Sequence, residues 1–161
     1  MRSLILLPVV FSVLMLGGCG SHQTGEPPNI RYGREVCSEC GMMISESRFA
    51  AASIDRDNRI FKFDEIGCMI LHKLHHPVPI REFWVHDGES GQWLKAEEAA
   101  YVESKQLISP MGYGVAAFSS PERAKEAALR QGGVVKSFDD LTPLVQEKLK
   151  HSLRSLDQRS N

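Results

Sequence analysis

Alternation between apolar and polar positions organises the middle of the chain. RFAAASI (48–54) and IFKFD (60–64) read as two strands separated by the turn-rich DRDNR at 55–59. The period then changes. DEIGCMILHKLHH (64–76) reads as a helix, with Asp64 as N-cap and Pro77 and Pro79 beyond its end. REFWVHD (81–87) returns to a strand, closed by Asp87-Gly88. The same order then follows again. AAYVESK (99–105) and GVAAFSS (114–120) are strands, and GVVKSF (133–138) is a third. Between them SPERAKEAALRQGG (120–133) is a helix with Ser120 or Ser119 as cap, Pro121 in the first turn and Gly132-Gly133 at the stop. The pattern predicts two ββαβ units in series, of about forty residues each, with little sequence in common. A last helix is expected from about Thr142-Pro143, with a core-facing stripe of Val145, Leu149, Leu153 and Leu156. The fold class expected is α+β: two ββαβ units in one compact domain on mixed or antiparallel sheet, plus a C-terminal helix.

The N-terminus follows a different logic. Arg2 precedes an apolar run, 4–16, that is too short to span a bilayer and has the form of a secretory signal. The run ends at Leu16-Gly17-Gly18-Cys19, which resembles a bacterial lipobox. Residues 1–18 are therefore expected to be a signal peptide, and Cys19 the lipid-bearing first residue of the mature chain. Such a lipid holds to a bilayer through its buried methylenes. Residues 19–34, polar and broken by Pro27-Pro28, read as a flexible tether. Residues 35–138 are then the working domain, and 139–161 a C-terminal amphipathic helix and tail. The localisation expected is extracytoplasmic, lipid-anchored on the periplasmic side. Gly20 after the anchor points to the outer membrane where the host has one.

Charge and motifs narrow the function classes. The chain of 161 residues carries a net charge of −1 and no basic run, which argues against nucleic acid as a partner. There is no defensible Ser-His-Asp spacing, no glycine-rich phosphate loop and no Walker pattern. Binding and transfer of an ion, not catalysis, is the activity expected. With Cys19 set aside, Cys37, Cys40 and Cys68 remain. Export permits disulfides, but an odd number of thiols cannot all pair within one chain.

CSECGMM, 37–43, allows four readings. A redox pair of the thioredoxin kind wants a strand before it and a helix after it; here a proline-containing tether precedes and Gly41 interrupts. Structural zinc wants two further ligands, which Cys68 and a histidine would supply. A plain disulfide or buried thiols, with methionines filling gaps, is the third. The fourth is a soft-metal site, because thiolate and thioether together select Cu(I).

On the helix, Ile66, Ile70 and Leu74 fall on one face at about 100° per residue, and Cys68, Met69, His72, His75 and His76 fall largely opposite. His75 and His76 read as a solvated face. Met111 lies in SPMGYGVAAF (109–118) between Pro110 and Gly112, a loop methionine whose side chain can be presented. The candidate donors are Cys37, Cys40, Met42, Cys68 and Met111, with Met43, Met69 and His72 as further ones.

Taken together, the lipobox, the tether, CSECGMMIS, FAAASI, FKFDEIGCM, FWVHDGESGQW, SPMGYGVAAF and the alanine-rich helix ending RQGG occur in an order that resembles the NosL-type nitrous-oxide-reductase accessory lipoproteins. The resemblance runs from Cys19 to about Phe138. It implies a membrane-tethered Cu(I) chaperone with a two-unit ββαβ fold. It implies copper received from an ABC-type assembly transporter and passed to apo nitrous oxide reductase or another copper enzyme, with the bilayer held through Cys19. By position, Cys40 and Met42 match the family's Cys-Gly-Met, and Met111 its loop methionine. Cys37 and FDEIGCM mark a subgroup, so the ligand set and the recipient can differ. The alternative is an extracytoplasmic thiol–disulfide oxidoreductase using Cys37 and Cys40.

Overall fold

The structure is a computed structural model and describes residues 25–159. The expected signal peptide (1–18), Cys19 and the first residues of the expected tether lie outside them. The strands are β1 (Ala51–Asp55), β2 (Ile60–Phe63), β3 (Ile80–His86), β4 (Trp93–Lys95), β5 (Ala100–Glu103), β6 (Val115–Phe118) and β7 (Val134–Lys136). The helices are α1 (Ile66–His75), α2 (Pro121–Gln131) and α3 (Phe138–Arg159). Two antiparallel sheets result, ordered β2-β1-β3-β4 and β6-β5-β7. In both, the first strand of the ββαβ unit is central and its helix crosses to the strand on the other side. The expected repeat is therefore a repeat of topology. β4 was not anticipated. It adds to the open edge of β3 through Trp84↔Lys95, Val85↔Leu94 and His86↔Trp93.

Asp87 joins the sheets. It forms a parallel bridge with Ala117 of β6, and Gly88 N–H donates to the Ala117 carbonyl at 2.8 Å. The Asp87 carboxylate accepts from the Ser119, Glu89 and Ser90 amides at 2.8–2.9 Å. Burial raises its pKa, but these three donors outweigh that and hold it below the ordinary carboxylate value. The WVHD stretch is thus a structural joint.

The main core lies where the first sheet, α1, α3 and Tyr101 of the second sheet meet. A smaller core, between α2 and the second sheet, is closed by small side chains: Ala100, Ala116, Ala124, Ala127 and Ala128. Gly133 lets the chain leave α2 against the sheet, since a Cβ there would stand 2.6 Å from Val102 Cγ1.

Three expectations are corrected at the ends of elements. The last helix begins at Phe138, not near Thr142-Pro143, because Asp140 accepts from the Ser137 amide and hydroxyl and starts the helix earlier; Pro143 sits inside it. Its buried residues are Leu141, Leu144 and Val145, while Leu153 and Leu156 are exposed. The stripe read from the sequence leaves the core as the helix runs past the body of the domain. Finally, Ile30, within the stretch read as tether, is buried in the main core, and Gly33 N–H donates to the Ile44 carbonyl. No described helix is long and apolar enough to cross a membrane.

Candidate metal centre

Residues 35–44 fold back on themselves. Val36 and Met43 form an antiparallel bridge, Cys37 N–H donates to the Met42 carbonyl at 2.7 Å, and Gly41 N–H donates to the Cys37 carbonyl at 3.0 Å. Gly41 has φ 73°, the left-handed turn that glycine enters without strain. The knuckle is stapled to β2 by Ser38, whose amide donates to the Lys62 carbonyl and whose hydroxyl accepts from the Lys62 amide. The cysteines thus sit on a tight hairpin. A thioredoxin-type pair needs a helix start there.

The hairpin brings Cys37 and Cys40 against the N-terminal end of α1. Sγ of Cys37, Cys40 and Cys68 and a carboxylate oxygen of Asp64 all lie within 4.8 Å of one another. All three thiols are free. Cys37 and Cys68 are buried, and Cys40 is half-buried at the outer edge. Cys40 Sγ–H donates to Asp64 Oδ2 at 3.6 Å; Asp64 Oδ1 is buried without a partner.

The electrostatics are asymmetric. The Cys68 thiol, with the Cys40, Asp64 and Glu39 amides behind it, hydrogen-bonds Cys37 sulfur and lowers its pKa to about 6 against the opposing effect of burial. Burial pushes Cys40 up to about 11, and the bond to Cys37, with burial, pushes Cys68 up strongly. At neutral pH the cluster holds one thiolate, Cys37, and two thiols gathered around it. Incoming metal must displace the two remaining protons.

The second unit covers this end of α1. Tyr113 packs on Gly67, where any side chain would overlap its ring. Glu65, also buried, lies beside the Ser109 hydroxyl and the Met111 and Tyr113 backbone, yet neither carboxylate oxygen has a well-directed hydrogen bond. The loop that carries Met111 is thereby held over the start of α1. Met42, Met43 and Met111 are all exposed.

The donors expected from sequence divide into groups. Cys37, Cys40 and Cys68 converge. Met42 and Met43 flank them on the knuckle, with the Met42 amide donating to Cys40 sulfur. Met69 is fully buried in the main core. His72 stands apart from the thiols, with Glu39 and His76.

The expected segregation of α1 is corrected. Cys68, Met69 and His72 are as buried as Ile66 and Ile70, because the knuckle and β2 cover the face that the helix shows away from its apolar stripe. Two site residues went unnoticed in the sequence. Asp64 was read as a helix cap, but the N-cap is Glu65 and Asp64 faces the thiols. Glu39 was passed over inside the Cys-x-x-Cys. The signal for Asp64 was its place four residues before Cys68; Glu39 had none without the fold.

Comparison with known proteins follows the same lines. No curated protein matches the chain. Among solved structures, the crystal structure of the copper chaperone NosL from Shewanella denitrificans matches with a TM-score of 0.59 at 20% identity, over 70% of this chain and 96% of that one. At that identity the likeness establishes the fold. The NosL family profile matches residues 31–145, which takes in the knuckle, both ββαβ units and the buried start of α3. The chain belongs to the NosL family.

Proposed function

We propose that this chain is a Cu(I) metallochaperone, tethered to a membrane through Cys19, that hands copper to an extracytoplasmic copper enzyme such as nitrous oxide reductase. The observation that carries this reading is the convergence of three free thiols on one point, with exposed Met42 and Met43 following them on the knuckle and exposed Met111 on the loop over the start of α1. Thiolate and thioether donors favour Cu(I) over harder ions. The relative from Shewanella denitrificans is a copper chaperone by its own description.

The mechanism is ligand exchange. An incoming ion meets Cys40 at the outer edge and passes to Cys37, which as a thiolate binds it without losing a proton, while Cys40 and Cys68 bind as their protons leave to solvent. Cys40 stands at the solvent edge of the set, beside Met42. A docked recipient meets Cys40, Met42 and Met111 before the buried sulfurs, and its own donors replace them stepwise. An ABC-type transporter is the source that the family resemblance implies.

Asp64 favours a second reading. A carboxylate within reach of three thiolates completes a four-ligand set of the kind that encloses structural zinc. One experiment separates the two. The reduced chain is titrated anaerobically with Cu(I) against a chromophoric chelator, and separately with Zn2+, beside Cys37→Ser, Cys40→Ser, Cys68→Ser, Asp64→Asn and Met111→Leu. A chaperone shows tight one-to-one Cu(I) binding that collapses with each cysteine variant, weakens with Met111→Leu and survives Asp64→Asn. Zinc binding that needs Asp64, with no retention of Cu(I) against the chelator, overturns it. A thiol–disulfide oxidoreductase would reduce insulin with Cys37 and Cys40 alone.

A further inference from the structure

The knuckle carries more than the thiols. Val36 and Met43 form its antiparallel bridge, flanked by Ile44 N–H donating to the Glu35 carbonyl and Cys37 N–H donating to the Met42 carbonyl. That pattern makes Val36 and Met43 the closer, non-hydrogen-bonded kind of cross-strand pair, with their side chains together on one face. Alternation sends Cys37 and Ile44 the other way, and both are buried. The outward face of a half-buried hairpin is ordinarily polar. Here it is apolar: Val36 is 61% exposed and Met43 58%. Ile60, at the start of the edge strand β2, is exposed as well. With Val36 it lines a hollow of about 390 Å³ between the knuckle and that strand.

The rim of the hollow is positive. Arg34, Glu35, Ser38 and Lys62 complete its lining. Glu35 is already engaged: Lys62 Nζ lies 2.9 Å from both its oxygens, and Arg31 adds a contact at 3.4 Å. Arg34 is exposed and enters none of the ion pairs among the described residues. Three cations thus stand against one carboxylate, in a chain whose net charge is −1. The local sign is opposite to that of the whole molecule, so this face favours an acidic partner surface. The patch also begins at the metal centre. Met43 follows Met42, whose amide donates to the half-buried Cys40 sulfur.

We propose that Val36, Met43 and Ile60, with Arg34 at the rim, are the docking surface for the protein that takes the copper. That protein presents an apolar side chain to the hollow and carboxylates to its edge. The apolar anchor supplies affinity as it leaves water, and the charges supply encounter rate and orientation. Docked there, the recipient holds its own donors next to Cys40. An apolar centre with a cationic rim also suits an anionic bilayer, but a bilayer on the knuckle would cover the edge at which Cys40 meets solvent and stop the exchange. The inference rests on the copper-delivery reading and adds to it where the recipient sits.

Transfer kinetics test this. The exported chain without its lipid (Cys19→Ser), reduced and loaded with Cu(I), is mixed with apo nitrous oxide reductase. It is mixed separately with dithiothreitol, a neutral Cu(I) acceptor that needs no docking. Val36→Thr combined with Ile60→Thr keeps both positions β-branched, and Arg34→Glu reverses the rim. Each variant should load the enzyme at least about tenfold more slowly than the parent, the effect of losing an interface hot spot. Cu(I) affinity and transfer to dithiothreitol should not change. Added salt should slow loading by the parent but not by Arg34→Glu. Variants that load the enzyme at the parent's rate overturn the docking surface and leave copper delivery standing. A parent that loads the enzyme no faster than Cu(I)–dithiothreitol does overturns the delivery reading, and the docking surface with it. Retention on phosphatidylglycerol vesicles, or self-association, that the variants abolish while loading keeps the parent's rate assigns the patch to a bilayer or to a second copy, and overturns the proposal too.

Discussion

The chain uses one topology twice and asks different things of each copy. In the second unit, α2 begins with the Ser120 hydroxyl accepting from the Arg123 amide, has Pro121 in its first turn and ends on Gly132 in the left-handed region. It buries only alanines, Ala124, Ala127 and Ala128. Propensity, caps and packing agree, as they do in a segment selected for stability. In the first unit, α1 has Glu65 as N-cap with no side-chain hydrogen bond, and Asp64 and Glu65 are buried with unpartnered oxygens. Gly67, Cys68 and His72, all weak helix formers, are buried together with Met69. Local rules fail together at one helix start, where the thiols converge. The contrast falls at the candidate metal centre: α2 keeps the local rules of a helix, and α1 departs from them where the thiols gather.

The largest expected effect is at Cys37. It is depressed to about 6, whereas a free cysteine titrates near 8.5. Between those values the unfolded chain holds a proton that the folded chain has released. The stabilisation is therefore fully present above about pH 8.5 and lost as the pH falls through about 6. Thiolate absorbance followed from pH 5 to 9 should show one sulfur ionising near 6, while Cys40 and Cys68 stay protonated. Cys37→Ser should abolish that step and cost Cu(I) affinity at least about a hundredfold, the upper end for a lost outer-shell partner. A first ionisation near 8.5 in the folded chain would remove the asymmetry between the thiols.

Next in size is Gly67→Ala. On an exposed helix this change stabilises by up to about 1 kcal/mol. Here the new methyl would overlap the Tyr113 ring, so overpacking of about 1–3 kcal/mol is expected instead. Because Tyr113 and Met111 share a loop, Cu(I) transfer to an acceptor should slow more than Cu(I) affinity falls. Glu65→Gln should act in the opposite direction on stability. Burial raises the Glu65 pKa, so above about pH 4.3, its free value, the folded chain keeps a proton that the unfolded chain gives up, and stability is lost as the pH rises through the folded pKa. The glutamine cannot ionise. Urea unfolding should show it more stable than the parent at pH 7, by about 1–3 kcal/mol, the cost of a buried polar group left unpaired, with the gain shrinking towards pH 4.

Much of this was legible in the sequence, for reasons that differ by region. The ββαβ repeat was visible because strand alternation and the Ser-Pro and Gly-Gly punctuation of α2 are local signals. β4 was not, since three residues, Trp93–Lys95, paired at an open edge have no periodicity of their own. The thiol cluster was half legible. Cys37 and Cys40 announce themselves by spacing, but Cys68 joins them only because the knuckle docks on β2 through Ser38 and Lys62. The burial of His72 was hidden for the same reason. A helical wheel shows which residues share a face; it cannot show that a loop thirty positions away covers the polar one. Ile30 is missed because composition suggests a tether there, and Leu141 because the last helix is expected to begin just after it; long-range packing puts both in the core.

The smallest effect sharpens the comparison at its base, the two helix N-caps. Ser120→Ala removes a hydroxyl that accepts the Arg123 amide at 3.3 Å, and loss of such a cap costs about 0.5–2 kcal/mol. The length of this bond puts the expected loss at the low end of that range. At the matching position of the first unit, Glu65 caps nothing, so Glu65→Ala loses no cap and relieves two unpartnered buried oxygens. Its unfolding free energy at pH 7 should therefore fall by less than that of Ser120→Ala, although a larger buried side chain is removed. Equal losses would mean that Glu65 holds the α1 terminus through the Ser109–Tyr113 loop after all. The cost of the missing cap would then be met by the second unit, and the two copies could not be assigned separate tasks. A smaller loss at Glu65 keeps them separate: α2 is stabilised from within its own sequence, whereas α1 is held in place by what packs around it.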